Sequence, residues 1–453
     1  MDRRKFIGNM AVGSLGLLAV PGLLRADDDN GLGEGSQLYP VPINTGISGN
    51  VLIVGGGMAG ATLAKYLRLW GGTGVKVTLI EKAGTYTSNI MSNKVLTGQL
   101  TMSNLSYAYS TLVNHYGVSL IQDTVTTIDA DGKKVSRKNG ADIAFDRLVL
   151  APGLEFDLMP GMSSLEEYNT LVPHAWQAGP QTELLRKQLL ELKAGTRVGD
   201  VVITIPKAPF RCPPGPYERA CVIADWLKTN NVSSKVVVLD ANGGILVEPK
   251  NFGDAFGGAY GYVVDYRPDC EVTGIDSYAR TVAFKQGGIA QAGITAGVLN
   301  PIPPQRAPSM LATAGLYDAA TERSVPVNVL SYQTVRKADK GIHVIGDASS
   351  TTQPKAGHIG NQQGKTCADA ILRLLQNKPL DNSPVTNSAC YTPITADRAT
   401  WLSAVYQYDP GTGKMVVPAF HNNGTPIAAT SATTGNYKDM QVWFNTLMAD
   451  TFA

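Results

Sequence analysis

Two groups of residues in this chain have the types and spacing for chemistry. The first is Gly55-Gly56-Gly57-Met58-Ala59-Gly60, with Glu81 standing 21 residues beyond Gly60. Glycines so spaced permit a tight turn at Gly55, close backbone approach to a pyrophosphate at Gly57 and close helix–strand packing at Gly60, and the acid that follows bonds a ribose hydroxyl. The second group is Lys207 to Pro216, in which Cys212 follows Arg211 and precedes Glu218 and Arg219. A thiol at a helix N-terminus beside cations has a lowered pKa and serves as a nucleophile, with Glu218 as a nearby proton acceptor. The competing role for Cys212 is a buried structural cysteine in a proline-rich turn. The five cysteines (212, 221, 270, 367 and 390) form no CxxC, and the five histidines show no ligand spacing, so no metal site is expected.

The elements that must position these groups read from apolar runs. Asn50 to Val54 is a short buried strand, Ala61 to Leu69 a helical pattern, and Val75 to Ile80 a second strand that ends at Glu81. Arg147 to Ala151 is another buried strand, closing on Pro152-Gly153, and Gly341 to Asp347 a further one that ends in an acid. Pro354 to Lys365 opens a helix that runs to about Leu375, and its dipole would stabilise negative charge on a cofactor. In the middle, Asp200–Pro206 and Lys235–Asp240 flank a helix from Pro216 to Lys228, a second βαβ unit. Its turn has prolines where the first has glycines, which removes the N–H donors a pyrophosphate needs, so no nicotinamide dinucleotide is expected there. Cys221, Cys367 and Cys390 read as structural, Cys270 as unassigned, and Trp401, Tyr406 and Trp443-Phe444 as core or interface.

Composition bounds the rest. With 39 basic against 37 acidic residues the formal charge is +2, so there is no basic field for a nucleic acid. Asp2-Arg3-Arg4-Lys5-Phe6 precedes an apolar stretch, Met10 to Leu24, and the Leu24-Arg25-Ala26 cleavage pattern. This reads as a twin-arginine export signal over residues 1–26, followed by a linker at 27–48, and it implies a periplasmic protein that loads its cofactor before export. No other stretch approaches the length of a membrane span, and integral membrane association is not expected.

The layout with a late Gly346-Asp347 resembles that of two-dinucleotide flavoproteins, in which such an acid holds the ribityl chain of FAD. More specifically, from Val51 onward the chain resembles the flavoprotein subunit of flavocytochrome c sulfide dehydrogenase, a relative of sulfide:quinone oxidoreductases. The motifs that carry the resemblance are Gly55 to Gly57, Pro173-His174-Ala175-Trp176, Ala208 to Arg219, Ile302-Pro303-Pro304-Gln305-Arg306 and Gly341 to Asp347. It implies an α/β fold with two Rossmann-like dinucleotide-binding domains of the disulfide-reductase type and a smaller C-terminal α+β domain. The FAD-binding domain would comprise residues 49–165 and 295–378, the second Rossmann-like domain 166–294 and the C-terminal domain 379–453. FAD contacts would fall on Gly55, Gly57, Met58, Ala59, Gly60, Glu81, Lys82, Asn93, Ala151, Gly153, Gly346, Asp347, Lys355, Gly357 and His358. Cys212 and Glu218 would be catalytic, with Arg306 as a charge neighbour.

The implied activity passes electrons from sulfide, through a redox-active cysteine pair and FAD, to a c-type cytochrome subunit supplied in trans. Two departures bear on it. No cysteine precedes Cys212, so the FAD is expected to be non-covalent. The family's second redox cysteine is missing from Ser324-Val325-Pro326-Val327, and none occurs between Cys270 and Cys367. Oxidation of sulfide or a related reduced sulfur compound therefore stands beside two alternatives: a flavin dehydrogenase for another small reductant, and a non-catalytic flavoprotein that docks a cytochrome.

Overall fold

The computed structural model of the chain describes residues 40–453. The expected export signal at 1–26 and residues 27–39 of the expected linker lie outside the described residues.

The first sheet is built from strands with apolar residues on both faces, the pattern of a parallel sheet covered by helices. Strands β1 (Gly49–Val54), β2 (Val75–Glu81), β3 (Ser119–Gln122), β4 (Arg147–Leu150) and a later strand, Ile342–Val344, run parallel in the order β3-β2-β1-β4-Ile342–Val344. Val51 is in register with Val77 on one side and Arg147 on the other. Helix α1 (Met58–Gly71) joins β1 to β2 and is rich in Ala and Leu, both strong helix formers. A short helix, α2 (Asn93–Thr97), follows β2.

The second sheet holds β5 (Val201–Ile205), β6 (Val236–Asp240), β7 (Val264–Arg267) and β8 (Val298–Pro301), all parallel in the order β7-β6-β5-β8. Helix α3 (Gly215–Thr229) crosses from β5 to β6. Strand β8 corrects the expected boundary at 295: Val298 and Leu299 are fully buried and complete the edge beside β5. The chain therefore returns to the FAD domain only after residue 301. There Gln305-Arg306 pairs antiparallel with Glu155-Phe156, so the outgoing and returning segments run side by side.

Strand β9 (Ile342–Val344), the late strand of the first sheet, leads into α4 (Gly357–Leu375), which packs along α1. The C-terminal region pairs β10 (Val385–Pro393) with β11 (Ala399–Asp409) and ends in α5 (Thr434–Phe452). Asp450 of α5 fastens that helix to the FAD half, accepting from Asn361 at 2.8 Å and pairing with Lys365 at 2.7 Å. Among the described residues no helix is long and apolar enough to cross a membrane.

Candidate functional site

The first βαβ turn is shaped by two close approaches. Gly55 has φ +101°, and a Cβ there would lie 2.3 Å from the Ala151 carbonyl oxygen; a Cβ on Gly60 would lie 1.9 Å from the Gly55 carbonyl oxygen. Neither position tolerates a side chain. A Cβ on Gly57, by contrast, would meet only the Tyr86 ring, at 4.0 Å, so the backbone there borders open space. The Glu81 carboxylate accepts from the Gly56 N–H at 2.6 Å and from the Ala83 N–H at 2.9 Å, which holds it at the end of β2. The residues present thus fit a dinucleotide: open backbone at a helix N-terminus, and an anchored acid beside it.

A cavity of about 400 Å³ opens from this turn. It brings together Gly57, Met58, Ala59, Asn93, Ala151, Gly153, Gly346, Asp347, Gly357 and His358 with Cys212 and Glu218. Five other expected contacts lie elsewhere. Gly55 and Gly60 act through packing, and Glu81 is held by backbone amides. Lys82 is exposed just past β2, and Lys355 braces the wall from behind, donating to the carbonyls of Asp347 at 2.6 Å and Ser349 at 2.9 Å. Arg306 is also outside the cavity, paired with Asp157 and, at 3.5 Å, with Glu155. Its sequence proximity to a motif gave no guide to where its guanidinium points.

The second βαβ turn delivers the thiol. The Cys212 N–H donates to the Lys355 carbonyl at 2.8 Å, docking the loop on the FAD-side segment, and the Arg211 guanidinium stands 3.8 Å from Asp347. Cys212 has φ +55° and Ala175, in the facing Pro-His-Ala-Trp segment, φ +47°. Non-glycine residues in this region are strained, and such strain gathers at functional sites. The two segments are joined by the Trp176 indole N–H, which donates to the Arg211 carbonyl at 3.2 Å.

Beneath them Arg219, 2% exposed, donates to the carbonyls of His174 and Ala175, both at 2.7 Å, and to the side-chain oxygens of Asn93 at 2.9 Å and Asn300 at 3.0 Å. One guanidinium thereby gathers α2, the Pro-His-Ala-Trp segment and β8 around the site.

Electrostatics overturn the expected thiolate. Burial, reinforced by the negative charge of Glu218, pushes the Cys212 thiol up to about 12, and the opposing effect of Arg211 is smaller. Burial also raises Glu218 to about 7, although an Asn93 amide N–H donates to it at 2.8 Å. The site therefore pairs a protonated thiol with a carboxyl group that titrates near neutrality, so Glu218 is a proton acceptor matched to physiological pH. His358 is buried and held near 4 by desolvation, hence neutral, with its Nε2 2.8 Å from the Ser388 hydroxyl.

Several residues read as structural face this cavity instead. Cys390, Tyr406 and Trp443 all line it, and Trp443 packs edge-on to His358 with ring centroids 6.0 Å apart. The alternation along β10 carries a signal for Cys390, because Ser388 and Cys390 share one strand face. Nothing local signals Trp443, which reaches the site only because α5 packs back across the molecule. Cys221, Cys270 and Cys367 are each 0% exposed and lie in three separate parts of the core. Among the described residues no cluster of His, Cys, Asp and Glu could hold a metal ion.

Two sheets with parallel central strands, a glycine turn open to a dinucleotide on one and a thiol loop on the other, define a two-dinucleotide-domain flavoprotein. Comparisons with known proteins agree. Residues 49–203 match the pyridine nucleotide-disulphide oxidoreductase family, residues 182–303 the central region of the sulfide dehydrogenase (flavocytochrome c) flavoprotein chain, and residues 382–452 the flavin-binding region of flavocytochrome c sulphide dehydrogenase. The chain is thus a flavoprotein like the flavocytochrome c sulfide dehydrogenase flavoprotein chain, and its cofactor is FAD.

Among solved structures, the sulfide:quinone oxidoreductase of Aquifex aeolicus superposes with a TM-score of 0.72 at 19% identity, over 89% of this chain and 91% of that one. An NAD-dependent persulfide reductase from A. fulgidus superposes at 0.55 and 15% identity, over 88% and 77%. These likenesses establish the fold. An NADH dehydrogenase-like protein of Mycobacterium tuberculosis is 32% identical over 127 residues, a match that spans 26% of this chain and 30% of that protein.

Proposed function

We propose that this chain is a periplasmic FAD-dependent oxidoreductase that oxidises sulfide, or a related reduced sulfur compound, and passes the electrons to a c-type cytochrome supplied in trans. The observation that carries the reading is the meeting of Cys212 and Glu218 with the FAD cradle in one cavity. When bound, FAD supplies a two-electron acceptor that can return electrons singly. The chain's own residues do the rest. Asp347 and the N-terminus of α4 border the flavin side, Glu218 accepts the proton of an incoming hydrogen sulfide, and Cys212 presents sulfur for S–S bond formation. The apolar wall from Trp176, Tyr391 and Trp443 keeps bulk water from the reacting groups. Residues 1–26 support export, and the match of residues 182–303 to a flavocytochrome c component supports the cytochrome partner.

The test is anaerobic stopped-flow mixing of the oxidised holoprotein with sulfide while following the flavin band. Rapid bleaching, reversed by added cytochrome c, is expected, and it should be lost in Cys212→Ser. A band that stays oxidised in the wild type overturns the reading. The lack of a cysteine between Cys270 and Cys367 favours one alternative, a different small reductant, and the same instrument tests it with thiols or sulfite in place of sulfide.

A further inference from the structure

Away from the flavin cavity, the described residues form a second hollow of about 180 Å³. The helix Pro180–Lys193 supplies one wall. Its Leu185, Leu189 and Leu192 are buried in the core, while Lys187, Gln188 and Glu191, three or four residues apart on another face, line the hollow. Arg197 lines it too, as does Arg280 from the turn between strands Cys270–Asp276 and Thr281–Gln286. Consecutive carbonyls hold the two arginines: Arg280 donates from Nε to Ala296 at 3.2 Å, and Arg197 donates to Gly297 at 3.0 Å. Arg197 also pairs with Glu191 at 2.9 Å, which offsets one charge. Arg280 and Lys187 pair with no carboxylate among the described residues. Ser277, also in the lining, gives its hydroxyl hydrogen to Glu167. Arg280 has φ +56°, so its side chain is presented here against the intrinsic preference of a non-glycine backbone.

Gln188 is 2% exposed, and its amide has only one workable orientation: the Leu171 carbonyl can only accept, so the NH₂ end faces it, at 2.8 Å. The other end, Oε1, has no hydrogen-bond partner among the described residues. A buried acceptor left in that state calls for a donor, and the cations beside it call for an anion. Few small ions offer both. Near neutrality sulfate has four acceptor oxygens and no proton, whereas hydrogen phosphate has the same tetrahedral shape and keeps one O–H. We propose that this hollow is a binding site for hydrogen phosphate, with Arg280 and Lys187 on its charged oxygens and its O–H donating to Gln188 Oε1. The hollow shares no lining residue with the flavin cavity, and the site does not depend on the sulfur-oxidising reading above.

The test is isothermal titration calorimetry on the purified holoprotein, so that FAD covers the Gly55–Gly60 turn, in a phosphate-free buffer near neutrality. Potassium phosphate is expected to bind at one saturable site, and potassium sulfate at equal ionic strength to bind about tenfold or more weakly. Arg280→Ala should weaken phosphate by about tenfold or more. Gln188→Met, which replaces the unpaired acceptor with an apolar chain of similar length, should remove most of the preference for phosphate over sulfate. The comparison of the two anions on the wild type needs no variant to fold. Absence of saturable phosphate binding, sulfate bound as tightly as phosphate by the wild type, or an unchanged phosphate affinity in Arg280→Ala overturns the proposal.

Discussion

The two βαβ units differ in what their first turns do. Between β1 and α1 the turn is Gly55 to Gly60, with open backbone at Gly57 and no room for side chains at Gly55 and Gly60. Between β5 and α3 the turn is Pro206 to Pro214, with four prolines and a cysteine in place of the glycines. Both occupy the same topological position, at the carboxyl end of a central parallel strand, where ligands gather in open α/β sheets. Glycine there leaves N–H groups free to meet phosphate. Proline withdraws them and stiffens a loop that can present a side chain. The comparison teaches that one scaffold position serves once as an open glycine turn and once as a loop that brings a thiol to the same cavity.

The first way to break the comparison is Gly60→Ala. The new methyl would overlap the Gly55 carbonyl, and the expected result is protein purified without FAD, read from the ratio of flavin to protein absorbance. Almost as large is Arg219→Ala, which removes a donor from four buried oxygens. It is expected to cost about 3–5 kcal/mol in chemical denaturation, and Arg219→Lys should rescue little because one ammonium cannot reach four acceptors in that geometry.

Glu218→Gln sharpens the comparison through pH. The folded-state pKa of Glu218 is raised to about 7, so the folded protein holds a proton that the unfolded chain, with an ordinary Glu near 4.5, has released. That contribution is complete below about pH 4.5 and is lost as pH rises through about 7. Wild-type stability should therefore fall relative to Glu218→Gln across this window, read from denaturation midpoints.

A smaller effect is expected at Cys212 itself. Because φ is +55° there, Cys212→Gly should be more stable than Cys212→Ala by about 1 kcal/mol, which equal denaturation midpoints would refute. The smallest is Arg306→Ala. Its ion pairs are partly exposed, so the expected cost is about 0–1 kcal/mol, with FAD content unchanged.

Much of this was legible in the sequence because it is local. The Gly55–Gly60 turn between an apolar strand and a helix, Glu81 at the end of β2, the late Gly346-Asp347 and the proline-rich loop around Cys212 each announce themselves within a few residues. Their backbone requirements are set by neighbouring side chains alone, and the structure gathers most of them around one cavity. The ionisation of Cys212 was not legible. Helix and cation effects read from neighbours favour a thiolate, but burial is a property of everything packed around the group, and desolvation wins. Strand β8 was misassigned because edge pairing joins segments about a hundred residues apart.

The sequence by itself determined the cofactor turn, the parallel-sheet class and the thiol on a proline-bound loop, since each follows from residue types at short spacing. Only the tertiary structure decided that Arg219 is the clamp, that Arg306 faces away, and that Cys390, Ser388 and Trp443 stand in the same cavity as Cys212. Those facts depend on the return of the C-terminal strand and helix across the first two domains, and packing between distant segments leaves no mark at the spacing over which a sequence motif is read.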